Sequence, residues 1–281
     1  MSRETPAPHP TGTTVEVVHV GQEPPASWAA AVYLCGPTPT DPAEPSWRPD
    51  AVAALRSLWS GTGRLVVFLP EPVPGGDYPA YADQIAWEEA AMRCSDVVLF
   101  WIPRDMARLP GLVSNIKWGA WCDSGRAVLG TPPEAERMEY LLHFAEALGV
   151  PVARTLAGAA TAALRAVGPG SGRSGGERSV PLTVWRTEPF RTWYAARRAA
   201  GDRLLDARVE WYVPTTGPDA HPPGQVAPAP GRDAHAAGQD ASAAGPDGAA
   251  AWLLTVTVAP ADGSGPTVGR LLAAQGQGML M

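Results

Sequence analysis

At 281 residues the chain is long enough for one large or two modest domains, and two unequal parts fit its pattern best. Its net charge of -6, from 28 acidic and 22 basic side chains without a block of like charge, excludes the basic footprint that duplex nucleic acid requires. The longest apolar stretches, Asp96 to Ile102 and Ala251 to Val258, fall far short of the roughly 20 residues needed to cross a bilayer, so no membrane span is expected.

The N-terminus carries Arg3 ahead of a Pro/Thr-rich stretch and lacks the basic start and apolar run of a secretory signal, which points to the cytoplasm. Residues 1–28 read as an extension holding one short strand, Val15 to Val20, before a Pro-containing turn. From Ala30 the pattern is regular. Ala31 to Cys35 reads as a buried strand closed by Gly36 and Pro37, followed by a helix from about Asp50 to Ser60 with Val52, Leu55 and Trp59 on one stripe. Arg64 to Leu69 is a second strand, Tyr81 to Arg93 a helix and Asp96 to Ile102 a third strand. Val113 to Asp123 is a helix, Arg126 to Leu129 a strand, Pro132 to Leu148 a helix, Val150 to Ala153 a strand and Ala157 to Val167 a helix. Strands alternating with helices imply an α/β fold, a doubly wound parallel sheet of Rossmann-like or flavodoxin-like type, over residues 29–167. Ligands of such sheets lie beyond the carboxyl ends of the strands.

Residues 168–179 have the composition of a flexible linker. Beyond it, residues 180–281 read as a small α+β module, with strands at Val180 to Trp185, Ala207 to Val213 and Trp252 to Val258, and a helix from Pro189 to Ala200. An Ala/Gly/Pro-rich insert over 214–249 is expected to be disordered.

Three groups of residues can carry chemistry. Gly36 and Pro37, after the first strand, can bring bare backbone N–H groups to a ligand. Asp83, Trp87 and Glu88 lie on adjoining faces of one helix, where carboxylates and an aromatic ring can hydrogen-bond and stack a nucleobase; the same pattern also describes a solvated acidic face with Trp87 in the core. The segment Pro110 to Val128 holds Ser114 as a helix cap, Asn115, Lys117 and Gly119 at the mouth of the crevice. Cys35, Cys94 and Cys122 lack C-x-x-C or His spacing, so they signal neither zinc nor a disulfide framework. Lys117 is the sole lysine in a chain whose other basic side chains are arginine.

Together, Val32-Tyr-Leu-Cys-Gly-Pro37, the acidic helix before Ser95-Asp96-Val-Val-Leu-Phe100, and the Lys117-x-Gly-Ala-x5-Gly-Arg-Ala-Val block resemble the nucleoside 2-deoxyribosyltransferase family over about residues 30–165. The resemblance implies a small-molecule nucleoside or nucleotide as ligand, attack on its N-glycosidic bond by a glutamate nucleophile, no metal or organic cofactor, and a homo-oligomer that completes its sites across subunits. A carboxylate is needed there because the oxocarbenium-like transition state is positive and must collapse onto an anion. The family's pattern places that glutamate at position 117, where this chain has lysine. Its second carboxylate, six residues earlier, falls on Gly111, with Asp105 near but out of register; Glu88 matches the base-contacting acidic position. Two readings follow. Either Glu88 or Asp105 takes over as nucleophile or base, or the chain is a catalytically degenerate nucleotide-binding module, a pseudoenzyme, that keeps the crevice. The later segments around Val180 to Arg186, Phe190 to Tyr194 and Arg208 to Trp211 resemble, more weakly, the region fused to Nudix hydrolases, without the glutamate run of a Nudix box.

Overall fold

A computed structural model describes residues 14–39, 41, 44–173, 175–212 and 251–274, and the chain divides into two compact units between Ser174 and Gly175. The expected insert over 214–249 lies outside the described residues.

The first unit is built on six short parallel strands: β1 (Thr14–His19), β2 (Ala30–Cys35), β3 (Arg64–Leu69), β4 (Val97–Trp101), β5 (Ala127–Gly130) and β6 (Val152–Ala153), in the order β1-β3-β2-β4-β5-β6. Both faces of a parallel sheet are covered by crossover helices, so its central strands are apolar throughout rather than alternating. All six residues of β2 and all five of β4 are buried. Ala30, Val32 and Leu34 face α1 (Arg48–Leu58) and α5 (Leu156–Val167), sharing one core with Leu55, Leu65, Leu99 and Ala163. The alternate residues Ala31, Tyr33 and Cys35 face the opposite layer, packed with Met92 of α2 (Tyr81–Cys94), Trp118 of α3 (Leu112–Trp121) and Leu141 of α4 (Glu139–Ala147). Strand succession reverses direction at β2: β3 lies on one side of it and β4 on the other, which opens a crevice at their carboxyl ends.

Several expectations are corrected. The strand near Val15 is not part of an extension; as β1 it pairs in register with β3 from Thr14↔Arg64 to His19↔Leu69 and forms the edge of the sheet. The helix expected from Pro132 starts only at Glu139, because residues 132–138 hold two prolines and Arg137 adopts a left-handed φ of 51°. Residues 171–173 do not hang as a free linker. Ser171 N–H donates to the Ala29 carbonyl at 2.7 Å, and the buried Arg173 guanidinium pairs with Asp96, whose other oxygen accepts Ala31 N–H at 2.9 Å.

The second unit holds a 3-10 turn (Gly175–Ser179), α6 (Leu182–Trp185), α7 (Glu188–Ala199) and an antiparallel sheet β7-β8-β9 (Arg203–Tyr212, Ala251–Ala259, Thr267–Ala274). The expected strand over Val180 to Trp185 is instead a turn and the short helix α6: Pro181 stands at its N-cap, and its carbonyl accepts from Trp185 N–H at 2.9 Å to close the helical turn. In β7 Leu204 and Ala207 both face inward although three residues apart; a register shift between Leu204 and Asp206 rotates the strand to allow it. Trp185, Phe190, Trp193 and Tyr194 form an aromatic cluster over this core.

Candidate functional site

The loop that leaves β2 is set by what surrounds Gly36. A side chain there would fall on the Trp101 carbonyl oxygen and within 2.7 Å of the Trp47 ring. The bare glycine therefore allows close packing of the β2 and β4 ends. Pro37 contributes its carbonyl, which accepts from Trp47 Nε1 at 3.0 Å. Beneath the loop lies Arg48, 1% exposed, which donates to Glu71 at 2.6 Å, the Gly36 carbonyl at 2.7 Å and Thr38 Oγ1 at 3.1 Å. Sequence reasoning missed Arg48. Its one signal was an arginine in the first turn of a helix, where the macrodipole disfavours a cation.

On the other face of the sheet, two helices and a strand bring three polar side chains together. The inner side of α2 carries Glu88, Ala91 and Met92, so Glu88 is carried into the layer against β2. Lys117 extends from α3, beside the buried Ser114 and Trp118, and its Nζ donates to Glu88 Oε2 at 2.5 Å and to Tyr33 Oη at 3.4 Å. Gln84 Nε2, one turn earlier on α2, donates to the second Glu88 oxygen at 3.1 Å. The Lys117 side chain is 17% exposed and that of Glu88 9%. Burial holds the Tyr33 phenol well above its usual range, with Cys35 and Glu88 adding to the effect and Arg48 opposing it. Burial likewise pushes the Cys35 thiol up to about 11, against the lowering pull of Lys117 and Arg48. Tyr33 was not foreseen, because a tyrosine inside an aliphatic strand reads as core; the hydroxyl at the carboxyl half of β2 was the available signal.

The other expected residues are placed differently. Asp83 is exposed, and Gly119 is exposed with open space around it. Trp87 packs edge-on against Phe68 and donates from Nε1 to the Gln22 carbonyl at 2.8 Å, so its ring is a fixture of the fold. Ser114 does not cap α3; Gly111 does, in left-handed conformation (φ 65°), while Ser114 is buried within the first turn. Asn115 Oδ1 accepts from Arg104 Nη2. Asp105 is absorbed in its own turn: it accepts from the N–H groups of Ala107 and Arg108 and from the Arg108 side chain at 2.8 Å, and these bonds hold its carboxyl below the usual range. An anion stabilised in this way is a weaker base.

A cleft of about 430 Å³ opens beyond the ends of β4 and β5, with Trp47, Trp101, Arg104, Arg108, Glu134 and Glu136 in its walls. Among the described residues its lining includes neither Lys117 nor Glu88; the Arg104–Asn115 bond ties it to the first turn of α3. Among the described residues, no group of three or more His, Cys, Asp or Glu side chains converges to hold a metal ion, and no helix is long and apolar enough to cross a membrane.

Residues 29–135 match the family described as nucleoside 2-deoxyribosyltransferase like. That span runs from the start of β2 to the turn after β5 and contains Tyr33, Glu88 and Lys117. A comparison with curated proteins finds no match.

Proposed function

We propose that the first unit is a nucleoside 2-deoxyribosyltransferase-like binding module, which takes a (deoxy)nucleoside or nucleotide at the carboxyl edge of its sheet while the covalent route through the N-glycosidic bond is closed. One observation carries this reading: Lys117, which the family resemblance aligns with the nucleophile, pairs with Glu88 at 2.5 Å. The pair removes both halves of the chemistry. An ammonium cannot stabilise the positive charge that builds at the anomeric carbon, and the nearest carboxylate already has its charge committed to that ammonium. Asp105 supplies no substitute, since its oxygens are engaged by Arg108 and the backbone of its own turn. The match over 29–135 supports the choice of ligand class.

The reading is tested by two assays on the native protein: thermal shift against nucleosides and nucleotides, and chromatographic detection of free base. Stabilisation without release is the expected result. Stabilisation with brisk release would restore the enzymatic reading in which Glu88 or Asp105 acts, and no stabilisation by any nucleoside or nucleotide would remove the ligand class.

A further inference from the structure

Lys117 is the sole lysine of the chain, so its amine is the one side-chain primary amine the protein has. It is reachable from solvent, with 17% of its side chain exposed, yet it sits between a carboxylate and a phenol rather than in open water. Condensation of an amine with an aldehyde needs a group that takes the ammonium proton and later returns it to the departing hydroxyl. Glu88 is in place for both tasks at 2.5 Å, and Gln84 holds its other oxygen.

We propose that Lys117 is an imine-forming amine that captures a sugar aldehyde, the ring-opened form of 2-deoxyribose or a related reducing sugar. The inference rests on the reading that the sugar of the ligand lies beside position 117, and adds a chemistry a glutamate there would lack. Glu88 accepts a proton from the Lys117 ammonium. The freed nitrogen lone pair forms a bond to the aldehyde carbon, the C=O π pair moves to oxygen, and a proton passes from nitrogen to that oxygen to give the carbinolamine. Glu88 then returns its proton to the hydroxyl, which leaves as water, and the nitrogen lone pair forms the C=N bond. The net change is ammonium plus aldehyde to iminium plus water, with Glu88 again a carboxylate. The iminium keeps the positive charge, so the ion pair with Glu88 persists.

The full chain is incubated with 2-deoxyribose and cyanoborohydride, which reduces an iminium to a stable secondary amine, and the adduct is located by peptide mass mapping. The N-terminal amine is the internal reference. Labelling of Lys117 at about ten times the rate of the N-terminus or more, and a loss of about tenfold or more in Glu88→Gln, is expected. Labelling of Lys117 no faster than the N-terminus, or no slowing in a folded Glu88→Gln variant, would overturn the proposal. If circular dichroism shows Glu88→Gln unfolded, the ratio in the native protein decides alone. Nucleoside-induced stabilisation is measured separately, so that lost trapping with retained stabilisation overturns the imine without touching the binding reading.

Discussion

At the scale of single residues, the pair formed by Lys117 and Glu88 carries the proposed reading. The Lys117 side chain is met by Glu88 and the Tyr33 hydroxyl rather than by open solvent, and on the proposed reading this puts a cation where glycosyl transfer needs an anion. The neighbouring thiol does not become an alternative nucleophile, because burial holds Cys35 protonated up to about pH 11. A folded-state value above that of the free thiol means that stability linked to this group is full at neutral pH and is lost as the pH rises through the free thiol's range toward 11. Cys35 is accordingly predicted to resist a disulfide reagent at pH 8 in the native protein and to react at least about a hundredfold faster once urea unfolds it. Rapid modification of Cys35 at pH 8 without urea would contradict this.

At the scale of elements, the crevice depends on how closely the ends of β2 and β4 approach. Gly36 permits that approach, and Gly36→Ala would force a methyl group onto the Trp101 carbonyl and the Trp47 ring. A loss of about 2 kcal/mol is predicted from overpacking, read by urea denaturation with an unchanged slope. An unchanged midpoint would mean that the loop is free to move away. Most of these elements were legible in the sequence. Arg64 to Leu69 has the bounds its apolar run suggests, and α2 and α5 fall within a residue of their expected limits. What was not legible depended on long-range partners: β1 looked like an appendage because its partner β3 lies some 50 residues on, counted from Thr14 to Arg64. Strand β9, Thr-Val-Gly-Arg-Leu-Leu-Ala-Ala from Thr267, carries Gly269 and no apolar/polar alternation, so its sequence does not announce a strand. The candidate site was legible to the same limit. Its being the sole lysine and the family resemblance singled out Lys117, and helix spacing with the same resemblance singled out Glu88, but only packing puts them within hydrogen-bond reach, and the burial that makes Tyr33 part of the site disguised it as core.

At the scale of the molecule, the first unit does not end with α5. The strap through Ser171 and Arg173 returns to the start of β2, where Arg173 meets a buried Asp96. Removing one partner of a buried pair leaves the other charge without compensation, which costs about 3 kcal/mol or more. Arg173→Ala is predicted to destabilise by that order in chemical denaturation, whereas replacement of the exposed Arg165 on α5 by alanine should change stability by less than about 0.5 kcal/mol. Equal effects would show that the strap is dispensable.

The charge at position 117 is reached directly by one measurement: release of free base from 2′-deoxynucleosides by native protein and by Lys117→Glu, assayed side by side. On the proposed reading a carboxylate at 117 would act as nucleophile and lower the barrier by several kcal/mol, so the predicted result is negligible release by the native chain and a rise of about a hundredfold or more in the variant. Brisk release by the native protein that Lys117→Ala leaves untouched would contradict the account, as would equal inactivity of native and Lys117→Glu proteins that both bind the nucleoside.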